Sequence, residues 1–107
     1  MQGQLYYYDK KWKSKECSVD NGVLSIGIDS KKPKQIQLIG STIFIIPDVY
    51  KKRPYCFAIQ KGKKEYYFSV DDEKEIVNWF IPFKKVEDVE FQDNRVMKCW
   101  LVGFFDF

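Results

Sequence analysis

The chain has 107 residues, of which 45% are hydrophobic and 18% aromatic, so it suits one domain with a modest core and is too apolar to be disordered. Three cysteines and no histidine indicate neither a disulfide framework nor a zinc site, and they remove the commonest catalytic base. The net charge of +3 is unevenly spread: residues 1–64 hold thirteen Lys and Arg against five Asp and Glu, whereas residues 65–107 hold five against ten. We therefore expect a polarised, non-catalytic domain without a cofactor or a metal.

The apolar stretches of the chain are short. Residues 1–4 do not begin the apolar region of a signal peptide. The longest apolar runs fall far below the ~20 residues that a transmembrane helix needs. The sequence therefore predicts a cytoplasmic protein.

Seven short strands are predicted before residue 71. In chain order they are Gly3–Tyr8, Trp12–Val19, Val23–Ile28, Gln35–Leu38, Thr42–Ile46, Tyr55–Ile59 and Glu65–Val70. Asn21 and Gly22 predict a tight hairpin, because both tolerate the positive φ of such turns. Pro33 lies in a polar loop, and Pro47 ends the fifth strand. Seven strands at this spacing are typical of a β-sandwich or barrel.

One amphipathic helix is predicted after the seventh strand. Asp71 or Asp72 can cap it, because a short carboxylate accepts the free N–H groups of a first turn. Its apolar face recurs at helical spacing and comprises Ile76, Trp79 or Phe80, and Phe83. Pro82 lacks the N–H that would bond the Asn78 carbonyl oxygen, so we expect a kink or an end near Ile81.

This order of elements resembles a pleckstrin-homology (PH) domain. The matching motifs are G-x-L at Gly3 and Leu5, W-K-x-K at Trp12–Lys15, V-x-N-G-x-L at Val19–Leu24, C-F-x-I at Cys56–Ile59, and the Y-x-F, D-x-x-E and Trp positions Tyr66, Phe68, Asp72, Glu75 and Trp79. They divide the chain into a PH-like domain, residues 1–86, and a C-terminal extension, residues 87–107.

The resemblance implies a mainly β fold. Two nearly orthogonal antiparallel sheets of four and three strands would form a seven-stranded barrel or sandwich, capped by the one C-terminal helix. The expected core residues are Leu5, Leu24, Phe68, Trp79 and Phe80.

The resemblance also implies where the basic residues lie. In PH domains the loops after the first, third and sixth strands cluster at the end opposite the helix. On this chain those segments carry ten lysines, of which the candidate headgroup-binding residues are Lys10, Lys11, Lys13, Lys15, Lys31, Lys32, Lys34 and Lys63. The other two are Lys61 and Lys64, and Lys51, Lys52 and Arg53 are expected at the other end.

Converging lysines are suited to an anionic phospholipid membrane and to phosphoinositides in particular. Each lysine near a negatively charged bilayer contributes about 1 kcal/mol, and several ammonium groups can bond one headgroup at once. Family members that bind phosphoinositides tightly commonly have a basic residue late in the first strand, where this chain has Tyr7 or Tyr8. We therefore expect moderate, weakly selective and salt-sensitive binding, with the protein peripheral at membranes.

Two other functions compete with lipid binding. The first is a protein-interaction module that uses a sheet edge, the helix or the tail. The second is nucleic-acid binding, since aromatic and basic residues interleave at residues 6–15. Nucleic acid is disfavoured, because strand alternation places half of those aromatic residues in the core.

The apolar segment Met97–Phe107 leaves three alternatives open. It packs on the domain as an added strand or lid, it mediates self-association or precedes another domain, or it is a truncated or non-native end.

Overall fold

The computed structural model describes residues 1–92, so the segment Met97–Phe107 and its three alternatives lie outside the described residues. Eight strands and one helix form in those residues. In chain order they are β1 (Gln2–Asp9), β2 (Lys11–Asp20), β3 (Val23–Ile26), β4 (Lys34–Gln37), β5 (Thr42–Ile46), β6 (Cys56–Lys61), β7 (Lys64–Ser69), α1 (Glu73–Lys84) and β8 (Glu90–Gln92).

The strands form an open sheet with the order β4-β3-β2-β1-β7-β6-β5-β8. Strands β1 to β4 form one antiparallel block, and β5 to β7 form another. Among the described residues, backbone pairing joins the two blocks where Tyr6 pairs with Ser69 and Tyr7 pairs with Phe68. The predicted mainly β fold of four and three strands with a C-terminal helix is therefore confirmed. Strand β8, which pairs with β5 in parallel, was not predicted.

Two strand boundaries differ from the prediction for a backbone reason. Strand β3 ends at Ile26, because Gly27 has a φ of 74° and turns the chain out of the ladder. Strand β6 begins at Cys56, because Tyr55 has a φ of 55°. The predicted turn at Asn21 and Gly22 forms with φ values of 52° and 75°.

The core lies between the two blocks of strands and the helix. Its residues include Leu5, Leu24, Phe68, Trp79 and Phe80, which are each at most 3% exposed. The ring of Phe57 stacks on Phe68 at 5.2 Å and meets Phe80 edge-on at 5.3 Å. Aromatic contacts of this kind add to the free energy gained by burying apolar surface.

Helix α1 begins at a capped N-terminus and ends later than predicted. Asp72 is the N-cap, and its carboxylate accepts the Glu75 N–H at 2.9 Å. The helix continues through Pro82 to Lys84, so the expectation of an end near Ile81 was wrong. Pro82 lies in the last turn and removes one helical hydrogen bond, because proline has no N–H. Buried Phe83 nevertheless packs that turn against the core. Over residues 1–92, no helix is long and apolar enough to cross a membrane.

Candidate functional site

A cleft of about 170 Å³ opens between the β1–β2 hairpin and the loop that joins β3 to β4. Its cationic lining consists of Lys13, Lys15, Lys32 and Lys34, and its other lining residues are Tyr7, Asp9, Ile26, Gly27 and Ser30. Strand register explains two of these positions. Lys13 pairs with Tyr7 and Lys15 pairs with Leu5, so both lysines face the side of the sheet on which the core lies. Lys13 and Lys15 lie at the end of this face where the cleft opens.

Tyr7 holds the Lys34 side chain in the cleft. The Lys34 ammonium donates a hydrogen bond to the Tyr7 hydroxyl oxygen at 3.2 Å and lies 5.4 Å from the centre of the Tyr7 ring. The hydrogen bond, followed by electrostatic attraction to the same hydroxyl, raises the pKa of Lys34. Tyr7 is itself 8% exposed and packs on Phe68, so its hydroxyl group is a fixed point. The uncharged Tyr7 thus fixes the position of the Lys34 ammonium group.

The β3–β4 loop is fixed at its start by a network around Gly27. The Gly27 N–H donates to the Glu16 carbonyl oxygen at 2.8 Å, which ties the loop to β2. The Ser30 hydroxyl and N–H both donate to the Gly27 carbonyl oxygen, at 2.7 and 2.9 Å. This turn fixes the start of the loop and so directs the following residues, Lys32 and Lys34, towards the cleft.

One carboxylate tempers the positive charge of the cleft. Asp9 lies 4.0 Å from the Lys13 ammonium, and both side chains are substantially exposed. Such exposed pairs contribute about 0–1 kcal/mol, so Lys13 can exchange Asp9 for a more highly charged anion at low cost. With four lysines against one aspartate, the cleft is net cationic.

Other predicted site residues lie elsewhere on the surface. Lys10 and Lys11 are exposed at the tip of the β1–β2 hairpin, where Lys10 has a φ of 66°. Lys31 is exposed on the β3–β4 loop without lining the cleft, and Lys63 is exposed in the β6–β7 turn. The Lys61 ammonium bonds the Ile39 carbonyl oxygen in the β4–β5 loop. Four of the eight selected lysines thus line the cleft.

The expectation that Lys51 lies at the far end from the β1–β2 hairpin was wrong. Trp12, near the tip of that hairpin, donates from Nε1 to the Lys51 carbonyl oxygen at 2.9 Å. The Lys51 ammonium lies 5.8 Å from the centre of the Tyr8 ring. Tyr8 and Trp12 face away from the cleft, and their rings draw the β5–β6 loop against the opposite side of the hairpin.

Arg53 ties the end of this loop to the start of the helix. Its guanidinium carbon lies 3.8 Å from the centre of the Tyr6 ring, a close cation–π contact. Its nitrogen atoms donate to Ser69 Oγ at 2.8 Å and to the Asp71 carboxylate at 3.0 Å. Arg53 is therefore engaged by the fold and lies outside the cleft.

The two described cysteines are buried thiols without a role in the cleft chemistry. Cys17 and Cys56 are both 0% exposed and free. Burial raises the pKa of both thiols, that of Cys17 to about 11. Both are therefore protonated and unreactive at neutral pH.

A family model described as the PH domain matches residues 1–88. The chain belongs to the PH domain family. This family consists of generally non-catalytic modules that bind phosphoinositides or proteins.

Solved PH domain structures share the fold of this chain. The tandem PX–PH domains of Bem3 from Saccharomyces cerevisiae match with a TM-score of 0.67 and 23% identity over 77% of this chain, which spans 40% of that chain. The C-terminal PH domain of human FGD3 matches with a TM-score of 0.65 and 16% identity, over 78% of this chain and 83% of that one. The C-terminal PH domain of pleckstrin, solved in complex with D-myo-Ins(1,2,3,4,5)P5, matches with a TM-score of 0.64 and 18% identity, over 81% of this chain and 96% of that one.

Proposed function

We propose that this PH domain binds the phosphorylated headgroups of phosphoinositides, and more weakly those of other anionic phospholipids, in the cleft between the β1–β2 hairpin and the β3–β4 loop. It would act as a peripheral membrane-targeting module on the cytoplasmic side. The observation that carries the proposal is the convergence of Lys13, Lys15, Lys32 and Lys34 on one cleft. A pleckstrin PH domain solved with an inositol pentakisphosphate supports this class of ligand.

The side chains of the cleft favour phosphate over a single carboxylate. Three or four ammonium groups placed around one small volume can each donate to a different oxygen of a multiply charged group. Lys34 is already held by Tyr7, so less side-chain entropy is lost when it binds an anion. These features give a multivalent anion the largest gain.

The same features set a moderate affinity. The described cationic lining is lysine throughout, and an ammonium group is a point charge that lacks the two-pronged geometry of a guanidinium group. A volume of about 170 Å³ is also small for a binding pocket, so a headgroup would remain partly in solvent. Salt therefore screens the interaction strongly, and selectivity among phosphoinositides is weak.

The test is co-sedimentation with liposomes that contain a phosphoinositide in a phosphatidylcholine background. Lys13→Glu together with Lys15→Glu should abolish pelleting, because the change reverses two charges in the cleft. The matched control is Lys74→Glu together with Lys85→Glu, two exposed lysines outside the cleft. It makes the same change in net charge and should leave most of the pelleting intact.

Two outcomes would contradict the proposal. Equal losses in the cleft variant and in the control would mean that binding follows net charge and not the cleft. Unchanged pelleting of the cleft variant would place the lipid-binding surface elsewhere. Circular dichroism of all variants establishes that the fold is intact.

A further inference from the structure

Strand β8 covers the outer edge of β5 with a segment from the same chain. Glu90, Phe91 and Gln92 pair in parallel with Thr42, Ile43 and Phe44. The approach to this pairing is also hydrogen-bonded. The Gly40 N–H donates to the Asp88 carbonyl oxygen at 2.9 Å, and the Glu90 N–H donates to the Ser41 carbonyl oxygen at 3.0 Å.

Phe91 is the one side chain of β8 that is withdrawn from solvent. Its ring lies 5.4 Å from the ring of buried Phe80 and packs against the core, whereas Glu90 and Gln92 are exposed. The β5 edge thus receives an extended backbone and a single central aromatic side chain. Sheet edges recognise extended peptides in the same two ways: main-chain hydrogen bonds hold the peptide backbone, and the surface beside the edge accepts alternate side chains.

Several features of this junction indicate a weak closure. Strand β8 pairs with β5 at three positions, whereas β6 pairs with β5 at five. Parallel pairing is slightly less stable per residue than antiparallel pairing. Asp88 enters the strand with a φ of 57°, a conformation that a non-glycine residue rarely adopts.

The Ser41 hydroxyl group adds to the cost of the closed junction. Ser41 is 1% exposed, and its Oγ has no hydrogen-bond partner among residues 1–92. A buried hydroxyl without a partner is costly, whereas opening of the junction would expose it to water.

The charges at the junction define the partner further. The Lys61 side chain bonds the Ile39 carbonyl oxygen, and its ammonium lies beside Gly40, the residue that bonds Asp88. The segment that occupies the edge carries Glu87, Asp88 and Glu90. A cation at the entry to the edge therefore suits acidic residues on the N-terminal side of the aromatic anchor.

We propose that the outer edge of β5 is a binding site for an extended peptide whose acidic residues precede an aromatic residue, and that β8 is its exchangeable occupant in the same chain. A partner peptide would displace β8, run parallel to β5 and place its aromatic ring against Phe80. This site is separate from the lysine cleft and does not depend on lipid binding.

The first test uses the 107-residue chain and a fluorescent peptide of the sequence of residues 86–92, VEDVEFQ. The variant Glu90→Pro removes the N–H that bonds Ser41 and should open β8. Because a closed β8 competes with the probe, the variant should bind the peptide about tenfold or more tightly than the unsubstituted chain in fluorescence anisotropy. A peptide with Phe91→Ser is the control and should not bind. Equal binding of both peptides, or no binding to a folded variant, would overturn the proposal.

The second test uses the unsubstituted chain and therefore does not depend on the folding of a variant. Amide hydrogen exchange should be at least about a hundredfold faster at Glu90 than at Phe57, which lies in the interior strand β6. Exchange at Glu90 as slow as at Phe57 would show that β8 opens only when the domain unfolds, and it would overturn the proposal.

Discussion

The Lys34 ammonium donates a hydrogen bond of 3.2 Å to the Tyr7 hydroxyl oxygen, and this contact joins the first residue of β4 to β1 across the cleft. Tyr7 stands near the point where tight-binding relatives were expected to carry a basic residue. Here the charge at that point comes from a lysine 27 residues further along the chain. Lys34 therefore supplies, beside Tyr7, part of the positive charge that the tyrosine lacks.

Tyr7→Phe should weaken binding of a soluble inositol phosphate headgroup by about two- to fivefold, since one hydrogen bond of about 0.5–1 kcal/mol then no longer positions Lys34. The ring and its packing on Phe68 are retained, so the melting temperature should change little. Tyr8→Phe is the matched control, because Tyr8 faces away from the cleft and should leave affinity unchanged. Isothermal titration calorimetry measures all three proteins. Equal affinities of the Tyr7→Phe variant and the unsubstituted chain would contradict a positioning role for the hydroxyl group.

Trp79→Ala should lower the free energy of unfolding by about 3–5 kcal/mol, because it leaves a large cavity where the helix closes the core. Trp79 is 3% exposed and packs near Phe83 and Gly3. Urea denaturation followed by circular dichroism gives the value. Trp12→Ala is the comparison at a half-buried tryptophan and should cost about 1–2 kcal/mol. Equal losses of unfolding free energy in the two variants would contradict the conclusion that Trp79 is a core residue through which the helix packs on the sheet.

The stability of the domain should fall as the pH rises from about 9 to about 11, because of Cys17. Burial raises the pKa of this thiol to about 11 in the folded chain, against 9.0 in the unfolded chain. In that interval the unfolded state has released the proton and the folded state has not, so unfolding becomes more favourable. The loss attributable to Cys17 should reach about 2 kcal/mol near pH 10.5.

The matched control for this effect is Cys17→Ala. Tyr67, whose pKa is raised to about 12 chiefly by its hydrogen bond to Glu65, and Cys56 also titrate above neutrality, so only the difference between the two proteins isolates Cys17. Urea unfolding under reducing conditions at several pH values gives that difference. A gap between the two proteins that stays constant from about pH 8 to about pH 10.5 would contradict the assigned cause.

The parts of the fold that follow from local chemistry were predictable from the sequence. Alternating apolar residues indicate β1 to β7, and Asn21 with Gly22 between two such strands favours a tight turn. The cap at Asp72 depends on its own side chain and the next turn of the helix. Lys13 and Lys15 lie on the same face of the sheet because side chains alternate between the two faces of a strand with a period of two residues.

The parts that depend on contacts between distant segments were not predictable in this way. No local pattern relates Lys34 to Tyr7, Lys51 to Trp12 or Lys61 to Ile39, since each contact forms only when separate loops meet. Strand β8 has three residues and one apolar side chain, so its periodicity gives no signal. The end of the helix at Lys84 was not predicted for another reason: the packing of Phe83 outweighs the hydrogen bond that Pro82 removes.

The most direct test of the lipid-binding proposal is a two-dimensional NMR titration of the 15N-labelled chain with inositol 1,4,5-trisphosphate, the soluble headgroup of a phosphoinositide. The largest amide shifts should fall at Lys13, Lys15, Lys32 and Lys34, and they should shrink as salt is added. Shifts centred on Lys51 and Lys52 across the hairpin, or no shifts at low salt, would contradict the lipid-binding proposal.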